Sequence, residues 1–262
     1  MTLYRATPKD GVAWITGAST GIGRALALDL AREGYAVAVT ARDEDNLTTL
    51  VGEAAGLPGR VVPFPCDVTD EAGMERTVAE IEREVGPLAL AVFNAGNYFP
   101  TWPQRLEALN FSKTFEVNVM GVIYGLVPAL DRMKERRRGH LVIVGSVTSY
   151  FGWPATAAYG SSKAALFNLA EGLKYDLDKM NVRIQVLNPG FIDTPLTRKN
   201  SFAMPALMPV DKASQRIVRA LKSGGFEVTF PWRFTWFLKF LRILPQPLRF
   251  AFINRATGWH KR

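Results

Sequence analysis

The sequence predicts an α/β fold, a doubly wound parallel sheet of about seven strands with helices on both faces. Two observations carry this prediction. Short apolar runs, rich in Val and Ile and bounded by Gly, Pro or Asn, are typical of strands, and stretches of helical periodicity separate them. The runs are apolar throughout, which favours strands that are buried on both faces by the helices connecting parallel neighbours.

The elements follow one another in a regular order. Candidate strands lie within residues 11–17, 35–41, 60–65, 88–96, 140–146, 182–190 and 226–230, and the clearest candidate helices lie within 23–34, 71–86 and 156–180. The chain shows no internal repeat and no low-complexity linker. A strand followed by a helix, repeated along the chain, is the pattern of a Rossmann-type fold.

Composition limits the class of protein. The 262 residues, 48% of them hydrophobic, suffice for one large core, so we expect one domain over 1–231 and a C-terminal extension, 232–262, that is not an independent domain. With one cysteine, Cys66, and two histidines, His140 and His260, we expect no internal disulfide and no metal site. Because we find no secretory signal and no long uninterrupted apolar run, we expect a cytoplasmic protein.

The first candidate strand runs into a glycine-rich turn. In TGASTGIG, Thr16–Gly23, the glycines Gly17, Gly21 and Gly23 allow a tight turn and close approach of backbone to a pyrophosphate at the start of a helix. Ser19, Thr20 and Ile22 complete this candidate dinucleotide site. The alternative is a glycine-rich turn that binds no ligand, since the spacing is not the common G-x-G-x-x-G.

Further motifs follow in chain order: Asp67 and Val68 in PCDVTD, Asn94, Ala95 and Gly96 in FNAG, Asn118 in FEVNVMG, Ser146 in IVGSVTS, Tyr159 and Lys163 in YGSSK, and Pro189, Gly190, Ile192 and Thr194 in NPGFIDT. Together they resemble the short-chain dehydrogenase/reductase family, in its branch built on one Rossmann domain, over roughly residues 10–230. One departure is visible, because Phe93 stands where the family often has a first asparagine before Ala-Gly.

Tyr159 and Lys163 are the candidate acid/base pair. They are four positions apart on a predicted helix, so their side chains share one face. A lysine cation about 4 Å away would supply roughly 4 kcal/mol, enough to lower the pKa of a tyrosine by about three units. We therefore expect Tyr159 to exchange a proton with a substrate oxygen, and Ser146, at a strand end, to hydrogen-bond that oxygen.

The resemblance implies roles for the remaining positions. Asn118 would anchor a water that links Lys163 to solvent as a proton relay, and Lys163 would also hold the nicotinamide ribose. Asp67 would contact the adenine, and Asn94 and Gly96 would line the cofactor cleft. Ile192 and Thr194 would hold the nicotinamide carboxamide.

Cofactor preference depends on the end of the second strand, VTARDED. Ala41 occupies the position where an NAD enzyme usually has an acidic residue, and Arg42 follows it. We therefore predict that NADP(H) is preferred over NAD(H), with Thr40 and Arg42 at the 2′-phosphate. The alternative is that Arg42 is solvated and Asp43 caps the next helix.

The segments expected to wall the substrate cleft are apolar. They contain Tyr98, Phe99, Phe151, Trp153, Phe191, Met204 and Met208. Such a lining suits a lipophilic ketone or secondary alcohol, for example a steroid, a long-chain acyl group or a terpenoid carbonyl. The alternative for each of these side chains is ordinary core packing.

The C-terminal extension is basic. Residues 198–262 carry 13 of the 32 Lys and Arg residues but only 2 of the 24 Asp and Glu residues. From Phe234, apolar residues recur at helical spacing (Phe237, Leu238, Leu241 and Leu244), as do Leu248, Phe252 and Ile253 after Pro245, while arginines and Lys239 fall elsewhere. The pattern favours peripheral membrane association through 232–262. The alternatives are helices that cover the cleft or contact a subunit, whereas no nucleic-acid motif is present.

These observations predict an enzyme that transfers a hydride between NADP(H) and a lipophilic ketone or secondary alcohol. A noncatalytic NADP(H)-binding regulator or scaffold, or a membrane-interaction module with incidental cofactor affinity, are the alternatives. The resemblance implies a homo-oligomer, dimer or tetramer, paired through the helices that contain Asn118 and Tyr159.

Overall fold

The computed structural model describes residues 3–200, 202 and 204–259. In this part of the chain seven parallel strands form one sheet in the order β3-β2-β1-β4-β5-β6-β7. The strands are β1 Val12–Thr16, β2 Ala36–Thr40, β3 Arg60–Pro63, β4 Leu88–Phe93, β5 Gly139–Val144, β6 Val182–Pro189 and β7 Glu227–Phe230. The predicted doubly wound Rossmann-type fold is confirmed, with each strand inside its predicted segment except Gly139, the first residue of β5.

Helices cover both faces of the sheet. They are α1 Gly21–Arg32, α2 Glu44–Glu53, α3 Glu71–Glu84, α4 Ala108–Phe115, α5 Gly121–Glu135, α6 Ala157–Lys179, α7 Val210–Ser223, α8 Trp232–Ile243 and α9 Gln246–Ala256. One hydrophobic cluster joins α1, α2 and α7 to the sheet, with Leu26, Leu47 and Ile217 at its centre. A second cluster on the opposite face joins α3, α5 and α6, through residues such as Met74 and Leu166.

The strand order reverses beside β1, which pairs with β2 on one side and with β4 on the other. Connections leave the carboxyl ends of these two strands in opposite directions, so a crevice opens between them. Gly17 has a φ of +67° directly after β1, and the Cβ of any other residue would lie 2.6 Å from the Cα of Ala95. This turn brings the start of α1 to the crevice.

Both tail helices pack against the domain. In α8, Thr235, Leu238 and Leu241 are buried, and the two leucines contact Val147 and Tyr150 beside the end of β5. In α9, Ile253 is buried. The inner face of the tail therefore extends the core of the domain.

The solvent-facing surface of the tail carries apolar side chains beside its arginines, in addition to the apolar side chains that pack inward. Trp232, Trp236, Phe240 and Ile243, here called the outer stripe, are 55, 63, 55 and 76% exposed, and Phe237, Leu248 and Phe252 are exposed as well. Tertiary packing uses one set of apolar side chains and leaves the other facing solvent. No helix among the described residues has the length and apolarity needed to cross a bilayer.

Candidate active site

A cleft of about 1060 Å³ opens at the carboxyl edge of the sheet. Most predicted site residues line it: Gly17, Ser19, Thr20, Gly21, Ile22, Arg42, Asp67, Val68, Asn94, Ala95, Gly96, Ser146, Tyr159, Lys163, Pro189, Gly190, Ile192 and Thr194. Gly23, Thr40 and Asn118 do not reach its surface. The cleft extends from the glycine turn, past the end of β5, to the segment after β6.

The glycine turn presents backbone donors to the cleft. The side chain of Thr20 makes no capping hydrogen bond at the start of α1, so the first N–H groups of this twelve-residue helix have no side-chain cap. Gly23 packs inside the turn, where a Cβ would lie 2.4 Å from the carbonyl oxygen of Gly17. The uncapped helix start and the neighbouring glycines fit the pyrophosphate of a dinucleotide.

Ser146 and Tyr159 meet at the centre of the cleft. Ser146 follows the end of β5 and its backbone N–H donates to Asn188 Oδ1 at 2.9 Å, while its hydroxyl accepts from the N–H of Thr148 at 3.2 Å. Tyr159 lies in the first turn of α6 and packs edge-on against Tyr98, with ring centroids 5.4 Å apart. The structure thus brings the predicted acid/base and the predicted oxygen clamp to one point.

Lys163 lies one helical turn after Tyr159. Its ammonium Nζ donates to the carbonyl oxygen of Val144 at 2.8 Å and lies 5.7 Å from the centre of the Tyr159 ring. The Lys163 side chain is buried, at 4% exposure, whereas Tyr159 is only partly buried and lines the cleft. The ammonium is therefore a buried charge held by a backbone carbonyl.

Burial dominates the acid/base properties of this pair. It raises the pKa of Tyr159 to about 12, and a hydrogen bond with Ser146 only partly opposes this increase. Burial also lowers the pKa of Lys163 to about 8. The lowering of the Tyr159 pKa expected from the nearby Lys163 ammonium is absent in the protein without cofactor, because desolvation disfavours both charged forms.

Asn118 is buried behind the cleft in a π-helical turn, Glu116–Met120, between α4 and α5. Its Oδ1 accepts from the N–H of Asn97 at 2.7 Å, and its Nδ2 donates to the carbonyl of Asn97 and to Ser162 Oγ. These bonds fix the loop that follows β4 at the cleft wall. Asn97, the residue after the FNAG motif, was missed by the sequence reasoning, and its position next to that motif was the available signal.

The end of the cleft where the adenosine is expected contains charged side chains. Asp67 Oδ1 accepts from the N–H and the hydroxyl of Thr69, and its Oδ2 lies 3.6 Å from an Arg42 guanidinium nitrogen. The Arg42 side chain is 77% exposed. Asp43 caps α2 by accepting from the N–H of Asn46.

Thr40 does not belong to the phosphate site, so that part of the prediction was wrong. It is fully buried, and its hydroxyl accepts from the indole N–H of Trp14 at 2.9 Å. Its carbonyl accepts from the N–H groups of Gly17 and Ala18. As the last residue of β2, it points into the face of the sheet, and its contribution is to hold the glycine turn.

The segment after β6 forms the far wall of the cleft. Ile192 is paired with Met208, and the Thr197 hydroxyl donates to the carbonyl of Ile192. The N–H of Thr194 donates to Thr197 Oγ1 at 3.0 Å. Gly190 lies against the ring of Phe234 on α8, so the tail supports the wall from behind.

Most side chains predicted to line the substrate cleft pack elsewhere. Of the seven, Phe99 lines the cleft. Phe151 and Trp153 stack together beneath the tail, Phe191 contacts Phe202 and Phe234, Tyr98 packs on Tyr159, and the sulfur of Met204 accepts from Asn200. The alternative of core packing holds for most of them, since the tail and the segment after β6 need apolar partners.

Apolar and charged groups that the sequence reasoning did not assign to the site also line the cleft. Val117, Leu196 and Pro195 line it together with Lys113 and Lys199. The Lys199 ammonium lies 5.8 Å from the centre of the Phe99 ring. This part of the cleft wall is thus partly apolar and partly basic.

The fold and this site are those of an oxidoreductase that uses a nicotinamide dinucleotide. The family model described as short chain dehydrogenase matches residues 11–204. The chain belongs to the short-chain dehydrogenase/reductase family. It is 38% identical over 237 residues to an uncharacterized oxidoreductase of Myxococcus xanthus, across 90% of this chain and 93% of that one.

Other relatives have an assigned activity or a bound cofactor. The chain is 34% identical over 188 residues to the 3-oxoacyl-(acyl-carrier-protein) reductase FabG of Thermotoga maritima, across 72% of this chain and 76% of that protein. The alcohol dehydrogenase of Thermococcus sibiricus, complexed with 5-hydroxy-NADP, superimposes with a TM-score of 0.77 at 28% identity, over 84% of this chain and 95% of that one. A Burkholderia phymatum enzyme in complex with NAD shares the fold, with a TM-score of 0.79 at 22% identity, over 91% and 94% of the two chains.

Proposed function

We propose that this protein transfers a hydride between NADP(H) and the carbon bearing the oxygen of a lipophilic ketone or secondary alcohol. The observation that carries the proposal is the convergence of Ser146, Tyr159 and Lys163 on one cleft whose other end begins at an uncapped helix start. A noncatalytic binding protein has no need for all three side chains at one point.

In this proposal each residue has a distinct task. When bound, NADP(H) supplies or accepts the hydride. The Ser146 hydroxyl holds the substrate oxygen, and Tyr159 delivers a proton to that oxygen during reduction or removes it during oxidation. Lys163 stabilises the phenolate with its positive charge, and Asn118, through its bonds to Asn97, keeps a water path between Lys163 and solvent.

Replacing Tyr159 by Phe tests this assignment. The hydroxyl is the only group lost, so we expect turnover to fall by at least two orders of magnitude, the range that general acid/base catalysis usually contributes. The dissociation constant for NADPH, measured by fluorescence, should stay within about threefold. A folded Tyr159→Phe variant with near-normal turnover would refute the proposed role.

The NADP(H) preference rests on Ala41 and Arg42. No carboxylate follows β2 at position 41 to accept from a ribose 2′-hydroxyl, and the exposed guanidinium of Arg42 lies at the adenosine end. The partial pairing of Arg42 with Asp67 would be exchanged for the 2′-phosphate. A Michaelis constant for NADH equal to or below that for NADPH would contradict this preference.

The substrate class rests on the partly apolar cleft wall and on the relatives. Phe99, Val117 and Leu196 offer an apolar path to Ser146, and the similarity to a 3-oxoacyl-(acyl-carrier-protein) reductase favours a long-chain acyl carbonyl among the lipophilic candidates. The test is NADPH oxidation with ketones and aldehydes of graded chain length and ring size. Catalytic efficiency should rise with chain length, and a preference for short, charged carbonyls would contradict the proposal.

We further propose that the tail, 232–262, holds the enzyme at the surface of an anionic membrane on the cytoplasmic side. The outer stripe places two tryptophans and a phenylalanine toward solvent, and the last quarter of the chain has a large excess of basic residues. Aromatic side chains enter the interface while Lys and Arg attract anionic lipid. The enzyme would then meet a lipophilic substrate at the membrane, into which such a substrate partitions.

Vesicle binding tests this arrangement. Because Trp236 and Phe240 are exposed, the double substitution Trp236→Ser and Phe240→Ser should leave the fold intact and lower the partition coefficient on anionic vesicles at least tenfold. Leu207→Ser is the matched control, since Leu207 is an apolar side chain, 43% exposed, that lies outside the tail and outside α4–α6. Equal binding of the double variant and the wild type would exclude the outer stripe as the contact.

The proposed assembly is a homodimer or homotetramer paired through α4–α5 and α6. Asn118, which is buried, and Tyr159 lie on the inner sides of these helices, and other side chains, including Leu109, Val127 and Tyr175, are exposed. Light scattering on the purified full chain measures the mass directly. A monomer at micromolar concentration would contradict the proposal.

A further inference from the structure

The backbone of Ser146 is held by a side chain from the neighbouring strand. Asn188, fully buried near the end of β6, accepts from the N–H of Ser146 through Oδ1 at 2.9 Å. Gly145 makes this contact feasible, because a Cβ at that position would lie 2.2 Å from Asn188 Oδ1. The position of the serine therefore depends on which way the Asn188 amide faces.

Glu227 of β7 determines the orientation of that amide. Its Oε1 accepts from Asn188 Nδ2 at 2.8 Å and from the hydroxyl of Tyr150 at 2.5 Å. An ionised carboxylate can only accept hydrogen bonds, so the NH₂ side of Asn188 must face Glu227. The oxygen side then faces Ser146, as its N–H requires.

The carboxylate is in turn held by the tail. Lys239 of α8 donates to Glu227 Oε2 at 2.6 Å, in an ion pair whose side chains are 29 and 17% exposed. The same ammonium lies 5.9 Å from the ring centre of Tyr150 and 5.5 Å from that of Trp236. Burial raises the pKa of Glu227, but the hydrogen bonds from Lys239, Tyr150 and Asn188 outweigh it and bring the pKa below its ordinary value.

We propose that Glu227 is a positioning residue for the reaction, which orients Asn188 and through it Ser146, and that Lys239 makes α8 part of this catalytic support. The inference rests on the proposed function, since it requires Ser146 to contact the substrate oxygen. The inference nevertheless goes beyond that function, because it assigns to α8 an effect on turnover that does not require a membrane.

Substitutions along the chain of contacts measure this effect. Glu227→Leu removes the acceptor that orients Asn188, so we expect kcat to fall at least tenfold while the dissociation constant for NADPH stays within about twofold. Glu227→Gln keeps an acceptor oxygen but can also donate, and Lys239→Met removes the charge that holds the carboxylate, so both should lower kcat about threefold to tenfold. Arg233→Met, which removes an exposed charge from the same helix, should leave kcat unchanged.

A double-mutant cycle separates positioning from a general loss of structure. In a Ser146→Ala background, Glu227→Leu should cause no further loss of the residual turnover, because the group that it positions is already absent. An equal loss in both backgrounds would overturn the proposal and leave Glu227 with a structural role only. If Glu227→Leu does not fold, the cycle with Glu227→Gln decides the same question.

The two proposals fail in different ways. Full turnover in the Ser146→Ala variant would remove the proposed role of Ser146, and this inference with it. Loss of turnover in Ser146→Ala, together with kcat within twofold of the wild type for folded Glu227→Leu or Glu227→Gln, would overturn the positioning role alone.

Discussion

Replacing Lys163 by Met should stabilise the protein while it abolishes turnover. Burial lowers the pKa of Lys163 from 10.5 to about 8, so holding the ammonium in the folded state at neutral pH costs roughly 3 kcal/mol. The hydrogen bond from Nζ to the carbonyl of Val144 is lost in the variant, which offsets about 1 kcal/mol of the gain. A net increase of about 2 kcal/mol in the free energy of unfolding remains.

The stability difference between Lys163→Met and the wild type should also change with pH in a direction that can be checked. Below pH 8 the lysine is charged in both the folded and the unfolded chain, so the full cost is present. Between pH 8 and 10.5 the folded lysine is neutral while the unfolded lysine still binds its proton, so the wild type gains stability as the pH rises. The advantage of Lys163→Met should therefore shrink by about 1.4 kcal/mol between pH 7 and pH 9.

Urea unfolding at the two pH values, followed by circular dichroism without cofactor, measures both quantities. Lys179→Met is the matched control, because Lys179 lies on the same helix with an exposed side chain and should change the free energy of unfolding by less than about 0.5 kcal/mol. A Lys163→Met variant that is less stable than the wild type at pH 7 would refute the reasoning. So would an advantage that grows with pH.

Three further changes probe other parts of the molecule. Arg42→Met removes the cation at the adenosine end and should raise the Michaelis constant for NADPH about tenfold with little effect on that for NADH, as steady-state kinetics will show. Gly17→Ala places a Cβ 2.6 Å from the Cα of Ala95 at a φ of +67°, so isothermal titration should show NADP(H) affinity reduced at least tenfold. Glu82 forms a bidentate pair with Arg136 that outweighs burial and keeps the pKa of the carboxyl below 4.5, so Glu82→Gln should cost about 2 kcal/mol of stability near pH 7 in urea unfolding. That cost should vanish as the pH falls below 4.5, through the folded-state pKa, and a cost that persists in acid would contradict the ion-pair account.

The fold was predictable because it depends on local and periodic features. Apolar runs at strand length, the helix over 156–180 and the glycine turn are each set by neighbours within a few positions, and all three lie where they were expected. The pairing of Tyr159 with Lys163 is likewise a matter of helical spacing. Residue type also selected Ser146 and Asn94 correctly as residues of the cleft.

The sequence alone could not distinguish side chains that pack in the core from side chains that face the cleft. Thr40 has the residue type of a phosphate ligand, but the alternation of β2 turns it toward Trp14. Phe151, Trp153 and Phe191 were equally suited to a substrate wall or to a core, and the docked tail decided for the core. The hydrophobicity of a residue predicts that it will be buried, but it does not predict which element or ligand will bury it.

The sequence by itself determined the parallel sheet, the glycine turn after β1 and the placement of Tyr159 and Lys163 on one face of a helix, because each depends on contacts within one element or between a strand and its next helix. The tertiary structure decided the tail and the support of Ser146. The bonds from Ser146 to Asn188 and from Asn188 to Glu227 join residues 42 and 39 positions apart, and Lys239 joins them only when α8 is docked. The aromatic stretch that begins at Phe234 therefore belongs partly to the core of the enzyme and partly to its surface, a division that only the packed chain defines.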